Sequence, residues 1–171
     1  MPNTDETFKR VANPSMEYHE EFMKMAVEYS KASLDSSSKK GPFGAVITYD
    51  GKFIAAASNE VMKNNDPTCH GEVNCIRKAC KKLNTYDLTG AVLYTSSEPC
   101  PMCLSAIIWA NISKVYYANT AVDAGNIGFR DDHIYKWLSG DKSVLTLDLE
   151  HRPEKEALEV FEKYGKIGKI Y

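Results

Sequence analysis

The 171-residue chain contains no apolar run approaching the ~20 residues that a membrane-spanning helix requires, which excludes an integral helical membrane protein. Its start, Met1 to Asn13, is polar and carries Asp5, Glu6, Lys9 and Arg10 without an apolar core, so no secretory signal is expected. Basic charge is not in excess either. Lys and Arg number 21 against 23 Asp and Glu, a formal net charge of −2, which gives no general attraction to a phosphate backbone. Five cysteines is an odd count, so a complete disulfide framework is not expected and a reducing compartment suits them. Internal repeats and low-complexity segments are also lacking.

What remains is an ordinary composition, 43% hydrophobic, in a chain long enough for one domain with a sizeable core. A single soluble domain spanning 1–171, in the cytoplasm and without a membrane partner, is the expectation. The basic stretch Arg77, Lys78, Lys81 and Lys82 reads as the solvated face of a helix.

Hydrophobic spacing predicts a first helix opening near Asn13-Pro14-Ser15, with Tyr18, Phe22, Met25, Ala26 and Tyr29 on one face. Ala45–Tyr49 and Lys52–Ala56 flank Asp50-Gly51, a strong hairpin signal. Val73, Ile76, Cys80 and Leu83 then mark a helix whose first turn holds His70 and Glu72. A strand at Ala91–Tyr94 follows, next a helix opening at Pro99 with Leu104, Ile107 and Ile108, and a strand at Lys114–Ala118. Strand, helix, strand in that order implies a parallel crossover. Val144–Leu149 alternates like a further strand, and Pro153 begins a last helix with Leu158, Phe161 and Tyr164 inward. The expected architecture is an α/β three-layer sandwich, helices on both faces of a mixed sheet of about five strands.

His70-Gly71-Glu72 and Pro99-Cys100-Pro101-Met102-Cys103 carry the chemistry. His70, Cys100 and Cys103 supply three zinc ligands, and zinc prefers four, so a position remains for water. A structural zinc would want a fourth protein ligand, and no second Cys-x-x-Cys or His-x-x-x-His exists to provide it. Cys69 is adjacent to His70 and would point about 100° away from it on a helix, so it is not expected to share the metal. A redox Cys-x-x-Cys would leave His70 and Glu72 idle. Cys75 and Cys80 read as small buried apolar groups. Glu72 alone could be a first-turn cap, but beside a zinc ligand it reads as a proton carrier, first base and then acid.

The combination of His-x-Glu with Pro-Cys-x-x-Cys resembles the signature of zinc deaminases that act on nucleobases. With Gly41-Pro42-Phe43-Gly44-Ala45, Asn65-Asp66-Pro67-Thr68, Tyr94 to Cys103, Asp123, Gly128-Phe129 with Asp131, Ile134-Tyr135 and a terminal Tyr171, the chain resembles the cytidine-deaminase-like superfamily. Within it the likeness, running from about Pro42 to the C-terminus, is to the guanine and guanosine deaminases. The resemblance implies one zinc per subunit, Asn59 hydrogen-bonding the base, Phe43 packing on it, Trp109 lining the pocket and Asp123 relaying a proton to the leaving amine. It also implies a homodimer in which Tyr171 closes the site, from a domain-swapped tail in related enzymes. Gly71 departs from the family's usual alanine and can meet the base through its backbone amide; Ser97 replaces a frequent cysteine. Guanine deamination to xanthine leads. Guanosine or cytosine deamination, aminotriazine side substrates, tRNA adenosine editing and a non-enzymatic zinc module stay open, with nucleic acid disfavoured by the charge balance.

Overall fold

Asp50 and Gly51 both take left-handed backbone angles, φ 49° and 67°, and turn strand β1 (Gly41–Tyr49) into β2 (Lys52–Asn59). A computed structural model describes residues 8–168 of the chain. Strand β3 (Ala91–Ser97) pairs antiparallel with the other side of β1, and β4 (Lys114–Asn119) runs parallel to β3, giving the order β2-β1-β3-β4. The helices are α1 (Glu20–Lys31), α2 (Val61–Asn64), α3 (Gly71–Leu83), α4 (Pro101–Trp109), α5 (Ala121–Asn126), α6 (Asp132–Leu138) and α7 (Lys155–Ile167). The chain divides into two compact units, Met1–Asp132 and His133–Tyr171, and the whole sheet belongs to the first. No helix among the described residues is long and apolar enough to cross a membrane.

The three layers follow from the pleat, which sends successive side chains to opposite faces. Ala45, Ile47, Tyr49 and Leu93 pack with Cys75, Ala79 and Ile107 of α3 and α4, whereas Val46, Val92 and Tyr94 pack with Phe22 and Ala26 of α1. At Gly44 a Cβ would come within 2.2 Å of the Ala26 carbonyl oxygen, so only glycine lets α1 settle this closely on β1.

Four expectations are corrected. The first helix begins at Glu20 rather than near Asn13. Tyr94 Oη accepts from His19 N and donates to Glu17 O, and Tyr116 Oη donates to Met16 O. Such bonds are worth about 1 kcal/mol each, more than the ~0.5 kcal/mol that helix propensity offers per residue, so the segment lies extended against the sheet. The second helix of the site begins at Pro101, with Cys100 as its cap, because the proline that follows Cys100 disfavours a helical backbone there and leaves it extended (ψ 169°). The described sheet has four strands, not five. Residues 144–149 leave a 3₁₀ turn, Lys142–Val144, and run irregularly, since no other strand in their unit offers a ladder. On α7, Leu158, Phe161 and Tyr164 are exposed rather than inward, as is Ile108 on α4. A unit this small buries little of an apolar helix face.

The basic stretch on α3 is solvent-exposed, as expected, and two of its lysines lie along the sheet edge. Lys82 Nζ donates to Ile54 O (2.9 Å), Lys78 Nζ to Ala56 O (3.1 Å) and Asn74 Nδ2 to Ser58 O (3.1 Å). Side chains four apart on one helix face thus match carbonyls two apart on edge strand β2.

Candidate metal centre

His70 and Cys100 are the extended cap residues of α3 and α4, and Cys103 lies one turn into α4. The first turns of two neighbouring helices therefore converge at the C-terminal end of β3. Nδ1 of His70 lies 3.5 Å from Sγ of Cys100 and 3.5 Å from Sγ of Cys103, and the three donor atoms fall within 4.8 Å of one another. A tetrahedral zinc with bonds of about 2.0–2.3 Å requires such separations, so the donor set fits that ion. Cys69 is held elsewhere, its thiol donating to Asp66 Oδ2 (3.3 Å) beside Asn64 and Arg77. Cys75 is fully buried, and burial pushes its thiol up to about 12.

Electrostatically the donors share protons. The hydrogen bond with Cys103, and then that with His70, hold the Cys100 thiol down at about 4. Cys103 is pushed up by its bond to Cys100 and by burial, and the bond to Cys100 raises the His70 imidazole. A low thiol beside an imidazole supplies the deprotonated sulfur that a metal ion binds.

Glu72 is the second residue of α3 and buried, 5% exposed. Its Oε2 accepts from Cys103 Sγ at 3.5 Å, and its Oε1 lies 3.2 Å from Thr95 Oγ1 of β3. Burial raises its carboxyl above the usual range, which suits a group that must both take and return a proton.

Around this centre, Asn59 is buried at the end of β2, where Val61 N donates to its Oδ1 (3.3 Å). Phe43 meets Phe129 edge to face, with ring centroids 4.9 Å apart. Gly71 opens α3 against the Phe43 backbone, where an added Cβ would come within 3.1 Å of the carbonyl oxygen. Trp109, at the end of α4, is 68% exposed. Tyr171 lies outside the described residues.

Asp123, the expected proton relay, follows β4 on the short helix α5. It is exposed at the third position of α5 and forms a capping box with Thr120, accepting from Thr120 N at 2.8 Å and Thr120 Oγ1 at 2.7 Å. Asp131, in the same loop, has its carboxyl raised by burial and then by the negative charge of Cys100.

Comparison with known proteins agrees with this geometry. Residues 16–119 match the cytidine and deoxycytidylate deaminase zinc-binding region. The chain is similar to guanine deaminase of Bacillus subtilis (strain 168), 44% identical over 150 residues, covering 88% of this chain and 96% of the relative. A crystal structure of a Bacillus subtilis guanine deaminase superposes with a TM-score of 0.82 and 42% identity, covering 91% of this chain and 98% of that one. The tRNA-specific adenosine deaminase of Aquifex aeolicus (strain VF5) is 33% identical over 147 residues, 86% of this chain and 93% of that protein. The chain belongs to the cytidine and deoxycytidylate deaminase zinc-binding family.

Proposed function

We propose that the chain hydrolyses guanine to xanthine and ammonia with one zinc per subunit. The observation that carries this reading is the 44% identity to the Bacillus guanine deaminase over 150 residues, a span longer than the family-wide region 16–119. His70, Cys100 and Cys103 hold the ion. Zinc in such a site supplies a Lewis acid and an acidified water.

Glu72 takes one proton from water and delivers it to the ring nitrogen, then takes the second from the hydroxyl now on C2 and passes it to the amine, so that the water oxygen replaces the amino group and ammonia leaves. Asn59 binds the base edge: with its Oδ1 engaged by Val61, its Nδ2 is left to donate. Phe43, backed by Phe129, packs on the ring, and Gly71 offers its backbone amide. Asp131 supplies the second carboxylate near the metal ligands, and Asp123 stabilises the loop that carries it.

The working form is a cytoplasmic homodimer. Exposed Ile108 and Trp109 on α4 support this, as an apolar pair at a surface otherwise open to water. Covered by a second copy, Trp109 lines the pocket mouth, and Tyr171 of a swapped tail closes it.

The similarity to tRNA adenosine deaminases defines the second reading. It draws little support from α3, where Arg77 bonds Thr68 and Asn74 while Lys78 and Lys82 bond β2, so three of the four exposed basic residues of this stretch also serve contacts within the fold. Incubation with guanine, guanosine, cytosine and adenosine-34 tRNA at low and high salt tests the choice. Salt-insensitive ammonia release from guanine supports the proposal, and salt-sensitive tRNA deamination without guanine turnover overturns it.

A further inference from the structure

Glu98 immediately precedes Pro99-Cys100 and has no part in the donor set. It is nevertheless joined to the next loop at two points. Its backbone N donates to Asn119 O at 2.8 Å, and its Oε2 accepts from Ala121 N at 2.9 Å. Ala121 N is a first-turn donor of α5, a group with no partner inside its own helix, and a carboxylate facing that positive end accepts with charge assistance.

The same loop leads to the site. Thr120 and Asp123 close the capping box of α5, and Ala124 O then accepts from Phe129 N at 3.0 Å. Phe129 lies against Phe43, whose carbonyl abuts Gly71 at the start of the helix that carries Glu72. Asp131 follows Phe129 by two residues in the same loop. These contacts form a circuit from the metal-ligand loop through Glu98, α5, Phe129 and Phe43 to α3. The Glu98 side chain connects its first two parts beyond the backbone pairing of the strand ends.

We propose that Glu98 is a positioning residue for deamination: its carboxylate fixes the 120–131 loop to the metal-ligand loop, so that Phe129 and Asp131 keep their places beside the bound base. This rests on the catalytic reading of the centre. What position 98 requires is a well-placed acceptor oxygen, so glutamine can substitute for glutamate and alanine cannot.

The test uses four full-length, zinc-loaded variants: Glu98→Gln, Glu98→Ala, Ala121→Pro and the Glu98→Ala/Ala121→Pro pair. Proline suits the first position of α5, where Thr120 before it is already extended (φ −85°, ψ 166°), so it removes the N–H donor without touching the metal-ligand loop. Two readouts are taken at unchanged zinc content: amide hydrogen exchange of residues 121–129, and kcat/KM on guanine. Glu98→Ala and Ala121→Pro are each expected to speed exchange about tenfold and to lower kcat/KM about tenfold to a hundredfold. The pair should lose no more than either single change. Glu98→Gln should stay within about threefold of the parent in both.

Unchanged exchange in Ala121→Pro overturns the proposal. So does a Glu98→Gln variant as impaired as Glu98→Ala, or losses that add in the pair. If Glu98→Ala fails to fold, Ala121→Pro and Glu98→Gln decide the matter. Exchange needs no substrate, so its result is independent of whether guanine is the base.

Discussion

Thr95 Oγ1 lies 3.2 Å from Glu72 Oε1, on the side of the carboxylate opposite Cys103, so the sheet and the metal-ligand helix grip one buried carboxyl between them. The Thr95 hydroxyl also lies 3.0 Å from Ser97 O, and its single proton serves one acceptor at a time. A proton carrier held this way keeps its place while its charge changes. Glu72→Gln should therefore retain zinc and lose about 10²–10⁴ in kcat. Zinc analysis beside steady-state kinetics checks it; a variant that stays active contradicts the assignment of Glu72 as proton carrier.

The two aspartates on the 120–131 loop should separate by phenotype. Asp123→Ala removes half of the capping box and should cost about 0.5–2 kcal/mol of stability, seen as a lowered Tm with kcat largely kept. Asp131→Asn should leave Tm nearly unchanged and reduce kcat. The reverse pattern would return the catalytic role to Asp123.

Along the sheet edge, Lys78→Met with Lys82→Met deprives Ala56 O and Ile54 O of donors worth about 1 kcal/mol each. It also uncovers β2 to pairing with another chain. Concentration-dependent association beyond the parent's own dimer, followed by analytical ultracentrifugation, is the expected outcome, whereas Lys81→Met should behave as the parent does.

Asp87 joins Arg10, Thr89 and Asn111, and the Thr89 hydroxyl above all holds its carboxyl below the usual 3.8. A lowered folded value means stability that is present above 3.8 and lost as pH falls through the folded value. The Tm gap between the parent and Asp87→Asn should accordingly be open at neutral pH and narrow on acidification below 3.8. A gap independent of pH would show that the carboxylate charge contributes nothing.

Local signals in the sequence located the centre because each had a local physical cause. Asp50-Gly51 specifies its turn by backbone angle alone, and a three-residue spacing places Cys100 and Cys103 on one turn. Segments whose structure depends on distant partners were misread. Met16 to His19 have helical spacing, yet phenols on β3 and β4 hold them extended. Val144–Leu149 alternates like a strand but lacks a ladder in its unit. Asp123 and Asp131 are both plausible acids in one loop, and only the fold distinguishes the cap from the carboxylate near Cys100.

The most direct measurement is ammonia and xanthine release from guanine by the purified protein, with bound zinc quantified in the same sample. The account predicts one zinc per chain and stoichiometric xanthine and ammonia, both abolished by chelation and restored by zinc. Full zinc occupancy with no guanine turnover, while another base or a tRNA is deaminated, would contradict it.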